Sequence, residues 1–491
     1  MFRGAPVIDA DSHKIENPVV FLDYIDARYR GRVRVVADQY GEQRVAISDR
    51  NPRTGAPDLI RLYPQPDGFG KGAYRAYHPE TAVGALFNRV RIQHMEREGI
   101  DVQVIYGSLT LVLASLIDSE LATALCHAYN DYIHDDCEPY RARLVPVGVL
   151  PLQDIGEAIN EMHRCIDQLG MPAVSISPNV PVPHPDAPEA FPLIRAPRHL
   201  SDPRFYPLYE AAQRMDVAIG IHGTPGAYLC GGAADQVDTF TLAHIFGHRH
   251  QQQMAIAKLV MDGVLERFPT LRFGFLEAGC GWLPDLIHAL HEHWEKRIRD
   301  FDPHYQPPML QLAIEAVRDR TARGGWMRKA KNLFELARSR RPAPPNSAVN
   351  GDTYLYEHRE LTRNPEEYFA RGQLFTTFEP DDPAPIYLRT ALGGVGERLT
   401  GWSVDYGHWD GVLNDCVRRI TENPQIDIDY AVRLLSTNTL RFYGPRLQRR
   451  IEPLLRSQRL LLEAPELPLG TVSQQPIGLG TQQRPGPRER R

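Results

Sequence analysis

Pro6-Val-Ile-Asp-Ala-Asp-Ser-His-Lys14 is the stretch on which the fold reading turns. An apolar run opens it and ionisable residues close it. A doubly wound open sheet usually carries a Gly-rich phosphate turn after its first strand, and here that place holds Asp-Ser-His-Lys. Asp11 and His13 are two residues apart, so on an extended backbone they point the same way. An oxygen and an imidazole nitrogen offered together suit a first-row divalent cation. Two structural roles compete with that reading: Asp11 capping a following helix, and His13 in a solvated loop.

Seven further apolar runs follow, at Asp101–Tyr106, Leu144–Leu150, Pro172–Ser177, Asp216–Ile221, Leu271–Leu276, Gln373–Phe378 and Leu399–Asp405. Most are rich in Val, Ile, Leu or Phe without clean polar alternation, as expected of parallel strands buried on both faces. Helical patterns fill most of the gaps, among them Leu116–Tyr132, Ile155–Leu169, Pro207–Arg214, Gln252–Phe268, Leu283–Arg299 and Pro385–Leu392. Strand–helix alternation repeated eight times predicts an α/β fold of the (β/α)8 TIM-barrel type.

Two segments do not fit the bare barrel. Residues 28–90 hold a hairpin-like pair, Val33–Asp38 and Arg44–Ser48 with Tyr40-Gly41 at the turn, and then a Pro/Gly-rich stretch. Residues 300–372 are Arg-rich and fall between the sixth and seventh strands, a place for a lid or an oligomer contact. The barrel domain is therefore expected to span 1–464 with these two insertions. The Pro-, Gly- and Gln-rich tail 465–491 is expected to be disordered.

The net charge of −5 advertises neither nucleic acid nor an anionic membrane as a partner. Fifty Arg against six Lys, with 41 Pro, reads as genome composition. The six Cys include no CxxC pair and read as reduced, mostly buried thiols. The N-terminus lacks the apolar stretch of a secretory signal, and no run of about 18 apolar residues occurs. These features point to a cytoplasmic protein that acts on a small molecule, with a homodimer as the expected assembly.

The polar residues that close the apolar runs carry the functional reading. His222 ends Ala-Ile-Gly-Ile-His, Glu277 ends Phe-Gly-Phe-Leu-Glu, and Asp405 ends Gly-Trp-Ser-Val-Asp. Barrel active sites lie at the C-terminal ends of the strands. Strands one, five, six and eight each deliver an Asp, Glu or His at that same end. His222 is a metal-ligand candidate, though a core histidine bonded to backbone is the commoner role for such a residue. Asp405 is a candidate ligand and a base for metal-bound water. Glu277, costly at an apolar strand end without a partner, is expected in an acid/base or substrate-contacting role, with direct ligation second. His408, Tyr106 and Trp282 are the candidate substrate contacts, although core packing explains Trp282 equally well. Asp410 is read as structural.

The order Asp-Ala-Asp-Ser-His, His-Gly-Thr-Pro-Gly, Gly-Val-Leu-Glu-Arg-Phe-Pro-x-Leu-Arg-x-x-Phe-Leu-Glu-Ala-Gly and Asp-Tyr-x-His-Trp-Asp resembles the amidohydrolase-2 branch of the amidohydrolase superfamily. That branch includes the aminocarboxymuconate-semialdehyde decarboxylase-like enzymes. The resemblance spans most of residues 6–445 and is strongest at 263–284 and 402–411. It implies a (β/α)8 barrel with one divalent cation, commonly zinc and sometimes manganese. Carried over by position, the metal ligands fall on Asp11, His13, His222 and Asp405. The chain departs from the pattern in two places. Strand one carries Asp-x-His where many members have His-x-His or Glu-x-His. Strand six carries Glu277-Ala-Gly where many have a catalytic His. His248, in the loop expected after strand five, is a candidate to restore that imidazole, with His244 the weaker candidate. Hydrolysis at a carbonyl by metal-activated water is the first expected chemistry. Non-oxidative decarboxylation of an aromatic or unsaturated acid is the alternative, and a non-catalytic binding barrel is the third.

Overall fold

The structure is a computed structural model that describes residues 1–16, 19–37, 43–64, 79–184, 195–224, 229–231, 236–297 and 361–463, with a few isolated positions between 318 and 331. The strands in chain order are β1 (Ile8–Lys14), β2 (Val33–Ala37), β3 (Gln43–Asp49), β4 (Leu59–Pro64), β5 (Val102–Gly107), β6 (Leu144–Pro146) and β7 (Gly148–Val149). They continue as β8 (Ala173–Ile176), β9 (Asn179–Pro183), β10 (Arg195–His199), β11 (Ala218–His222), β12 (Phe273–Leu276), β13 (Leu374–Phe378) and β14 (Thr400–Trp402). Each of the eight expected apolar runs overlaps a strand, with β1, β5 and β11 running past the expected ends and Leu144–Leu150 holding both β6 and β7.

These core strands form two parallel arcs, β1-β5-β6 and β7-β8-β11-β12-β13-β14. Backbone hydrogen bonds link the arcs at two seams. Between β6 and β7 the chain runs straight through Val147, whose N–H donates to Ile105 O at 3.0 Å. Past β14, Asp405 N donates to Asp11 O at 3.2 Å and His13 N donates to Tyr406 O at 2.7 Å. The result is an α/β, barrel-like arrangement of parallel strands with helices between successive strands.

The helices begin where side chains satisfy their free N–H groups. Asp118 accepts from Leu121 N for helix Ser119–Cys137, and Asp154 accepts from Glu157 N for helix Ile155–His163. Inside the ring, Ile8, Val102, Val104 and Val145 pack with Phe375, Phe442, Tyr443 and Leu447. The closing helix Asn438–Tyr443 thus fills one end of the ring, with Phe442 stacked on Phe375 at 4.7 Å. Gly274 makes room for this plug, because a Cβ there would lie 2.4 Å from the Phe442 ring.

The expected hairpin in the first insertion is present and gains a third strand. β2, β3 and β4 pair antiparallel, with Val33 opposite Ile47 and Ala37 opposite Gln43. Val33, Val45, Ile47 and Tyr63 face inward while Val35, Ile60 and Leu62 are exposed, the period-2 pattern of a half-buried sheet. The turn at Tyr40-Gly41 lies outside the described residues, as do nearly all of 300–360 and the tail from 464 onward. Among the described residues no helix is long and apolar enough to cross a membrane.

Candidate metal centre and active site

The site forms where the seam between β14 and β1 meets the ends of β11 and β12. β1 runs on to Lys14, so Asp11 and His13 lie within the strand and not in a loop beyond it. A register irregularity between Asp9 and Ser12 adjusts their aim. His222 is the last residue of β11, and Glu277 follows β12 directly. Glu277 and Asp405 adopt left-handed φ values of +53° and +50°. Non-Gly residues in that region cost of order 1–3 kcal/mol each, and such strain concentrates at functional sites.

The donor atoms converge. His13 Nε2 lies 3.2 Å from His222 Nε2, 3.5 Å from Asp11 Oδ1 and 3.4 Å from Asp405 Oδ1. His222 Nε2 is 3.9 Å from the same Asp11 oxygen. Metal–ligand bonds of about 2.1 Å place neighbouring donors roughly 3–3.5 Å apart, so Asp11, His13 and His222 are spaced to share one cation, while Asp405 groups with His13, Glu277 and His408. Asp11 is fully buried, and neither of its oxygens accepts a hydrogen bond from the described residues. A bare carboxylate in that position is costly unless a positive charge meets it. The donor set of two imidazoles and two carboxylates therefore fits a divalent ion of the zinc or manganese type.

The electrostatics agree. Burial raises the Asp11 carboxyl to about 8 and lifts Asp405 well above the carboxylate range, aided by the neighbouring charge of Glu277. Burial also holds His13 well below its ordinary value, in the neutral form that ligates metals. For His222, burial pulls down but the Glu277 contact and the Asp11 charge win, raising it to about 9.

Beside this centre Glu277 gathers histidines. Its Oε2 is 3.1 Å from His222 Nε2, and its Oε1 is 3.5 Å from both His244 Nε2 and His248 Nε2. These imidazoles and their charges hold Glu277 ionised against the opposing effect of burial. His248 lies not in a loop but on helix Phe240–Met261, which starts at Thr239, whose hydroxyl accepts from Leu242 N. His244 and His248, four apart, share a face of that helix. Burial lowers His248 to about 3, so it is neutral. His244 is less buried, and Glu277 outweighs burial to raise it to about 9, as it does for His222.

His408 Nδ1 is 2.9 Å from Asp405 Oδ1, and its Nε2 is 3.0 Å from Ser108 Oγ. Tyr106 sits deeper in the ring, its hydroxyl 2.6 Å from that of Tyr443. Trp282 is half-buried against the core and donates Nε1–H to Ala278 O at 2.8 Å. The cleft over the centre has a volume of about 270 Å³ and is lined by Asp11, His248, Glu277 and Asp405, and also by Arg249 and Glu379.

Sequence reasoning passed over the supporting residues. Asp9 is buried and accepts from Ser12 Oγ, Gln103 Nε2 and Val404 N, which ties β1 to both of its neighbours. Arg91, also buried, donates to His13 O and to Gln103 Oε1 and lies 4.4 Å from the Tyr406 ring centroid. Asp9 carried a legible signal, as a third ionisable residue in an apolar strand. Arg91 carried none, because it lies far away on helix Asn88–Glu98.

The Amidohydrolase family model matches residues 114–321. A 2-amino-3-carboxymuconate-6-semialdehyde decarboxylase from Dictyostelium discoideum is 26% identical over 42% of this chain and 52% of its own. A 2-keto-4-carboxy-3-hexenedioate hydratase from Sphingobium is 24% identical over 47% of this chain and 60% of its own. The chain thus matches only about half the length of these curated relatives. Two solved structures share the fold. An amidohydrolase from Mycobacterium avium subsp. paratuberculosis aligns with a TM-score of 0.58 at 18% identity, over 90% of this chain and 99% of its own. A dihydroxybenzoic acid decarboxylase from Polaromonas, with bound manganese and the inhibitor 2-nitroresorcinol, aligns with a TM-score of 0.50 at 13% identity, over 89% and 97%. Family model, relatives and the order of strand-end residues make the chain similar to the amidohydrolase-2 family, with the family model matching residues 114–321.

Proposed function

We propose that the chain is a metal-dependent, non-oxidative decarboxylase of a small aromatic or unsaturated carboxylic acid, built on a (β/α)8 barrel. One observation carries the reading: Asp11, His13, His222 and Asp405 gather beneath a cleft in which Glu277 stands between His222 and His244. Hydrolysis, the first expectation from the sequence, takes second place. The two curated relatives are named a decarboxylase and a hydratase, and neither is a hydrolase by name.

The four donors would hold one divalent cation, zinc or manganese, the latter being the ion of the Polaromonas decarboxylase. Such an ion supplies Lewis-acid stabilisation of charge on substrate oxygens. The chain's own residues do the rest. Arg249 at the outer wall offers a positive charge to a carboxylate. As the carbon–carbon bond breaks, carbon dioxide departs and leaves its electron pair on the ring or alkene carbon. That carbon takes a proton passed from His244 by way of Glu277, and solvent at the mouth reprotonates His244. His248, neutral and buried, walls the path and keeps water from the carbanion.

The test is a purified, metal-loaded chain offered hydroxybenzoic and unsaturated carboxylic acids in ¹⁸O-labelled water. Carbon dioxide release without ¹⁸O in the other product supports the proposal. Label incorporation without carbon dioxide would restore hydrolysis. Metal binding with no product from either class would favour the binding barrel.

A further inference from the structure

We propose that Glu379 is a specificity-determining residue of the cleft, and that the substrate carries, remote from its carboxylate, a protonated amine which Glu379 receives. The inference rests on the decarboxylase reading of this cleft and names a further feature of its substrate. Glu379 directly follows β13, the position that Glu277 holds after β12. It lines the cleft at the end of the strands where barrels present their functional residues. Its carboxyl group makes no hydrogen bond or ion pair among the described residues. A half-buried acid without a partner is costly, and a bound molecule would supply the partner.

The chemistry of that molecule follows from the charges around it. Asp11 and Asp405 face the cation position, and Glu277 meets the histidines. Asp381, Asp382 and Asp410 line the same cleft as Glu379, against a single arginine, Arg249. Asp382 is already engaged, accepting from Ala384 N at 2.8 Å and feeling the charge of Arg249. Burial first, and then the charges of Asp410 and Glu277, push the Glu379 carboxyl up to about 8. An ammonium group supplies the missing positive charge and offers three N–H donors. A second carboxylate on the substrate meets like charge at this wall and is rejected.

His248 is an independent sign that the cleft awaits a polar ligand. It is 3% exposed, lines the same cleft, and neither ring nitrogen has a hydrogen-bond partner among the described residues. Buried polar groups are normally paired, so a molecule seated here completes its bonding. The carboxylate of that molecule turns to the cation and its amine to Glu379.

The experiment uses full-length chain loaded with Zn²⁺ and three non-reacting probes: benzoate, para-aminomethylbenzoate and para-carboxymethylbenzoate. The last two differ in the charge they carry opposite the acid. Calorimetry should show wild type binding the amine about tenfold more tightly than benzoate, the gain of one charge-assisted hydrogen bond, and the diacid more weakly than benzoate. Glu379→Gln should lose most of the preference for the amine while keeping its zinc, which also reports a folded chain. Glu379→Lys should reverse the order of the amine and the diacid. Benzoate binding with no preference for the amine, or a preference that survives Glu379→Gln, overturns this proposal alone. A zinc-loaded wild type that binds none of the three overturns it together with the reading of the cleft.

Discussion

His13 Nε2 and His222 Nε2 face each other at 3.2 Å, although 209 residues separate them in the chain. Both rings are buried, and the Asp11 carboxyl, buried between Asp9 and His13 in the strand, flanks them. Two imidazole nitrogens and a carboxyl oxygen brought so close could hold a cation. The strand order places them there: β11 presents His222, and the β14–β1 seam presents the others.

That seam predicts a stability effect. Asp9 binds Gln103 on one side and Val404 on the other, and its own carboxyl is raised by burial to about 6. Asp9→Ala strands buried donors, and each such loss costs about 1–3 kcal/mol. The variant should unfold at lower urea than wild type, by about 3 kcal/mol in total, and should bind metal roughly 10–100-fold more weakly because β1, which carries Asp11 and His13, loses its ties to Gln103 and Val404. Denaturant titration and metal competition check the two effects separately.

Glu277→Gln keeps the shape and removes the charge that holds the His244 proton. Loss of a positioned acid–base group typically costs about 10²–10⁴ in rate. The expected outcome is a fall in kcat within that range while the metal is retained. A variant with wild-type kcat would rule out Glu277 as the proton-passing group.

The pH profile follows from His244. Its pKa is raised to about 9, and the acid form is the active one, so activity should hold below that pH and fall as pH rises through about 9. The sign is the same for stability: a raised histidine pKa stabilises below its ordinary value near 6.5, and that contribution disappears as pH rises through the folded value. His244→Asn should abolish the alkaline limb of kcat. A wild-type profile flat from pH 7 to 10.5 contradicts the assignment.

Gly274 tests the plug. Its missing side chain leaves the space taken by the Phe442 ring. Gly274→Val overpacks that contact and should destabilise by about 1–3 kcal/mol, read as a lower unfolding midpoint. A paired Phe442→Leu should recover part of the loss.

Much of this architecture was legible in the sequence because it rests on local patterns. The eight apolar runs are buried on both faces, so their composition announced them, and polar residues such as His222 stand out where such a run ends. The face shared by Asp11 and His13 followed from strand periodicity alone. Arg91 was not legible, since its role arises from chain segments that meet only in the folded structure. His248 was expected in a loop because the helix start at Thr239 lies in a polar stretch with weak amphipathic patterning. β4 escaped notice because nothing in Leu59–Pro64 marks it as the partner of β3. The reaction was hardest to read, because the four donors serve hydrolysis and decarboxylation alike.

The central claim is that Asp11, His13, His222 and Asp405 hold a catalytic cation. Elemental analysis of purified wild type beside His222→Ala and Asp405→Ala, each dialysed against limiting metal, tests it most directly. Wild type should retain one tightly bound divalent ion per chain, and each variant should lose most of it while keeping its fold by circular dichroism. Full retention in both variants would contradict the account.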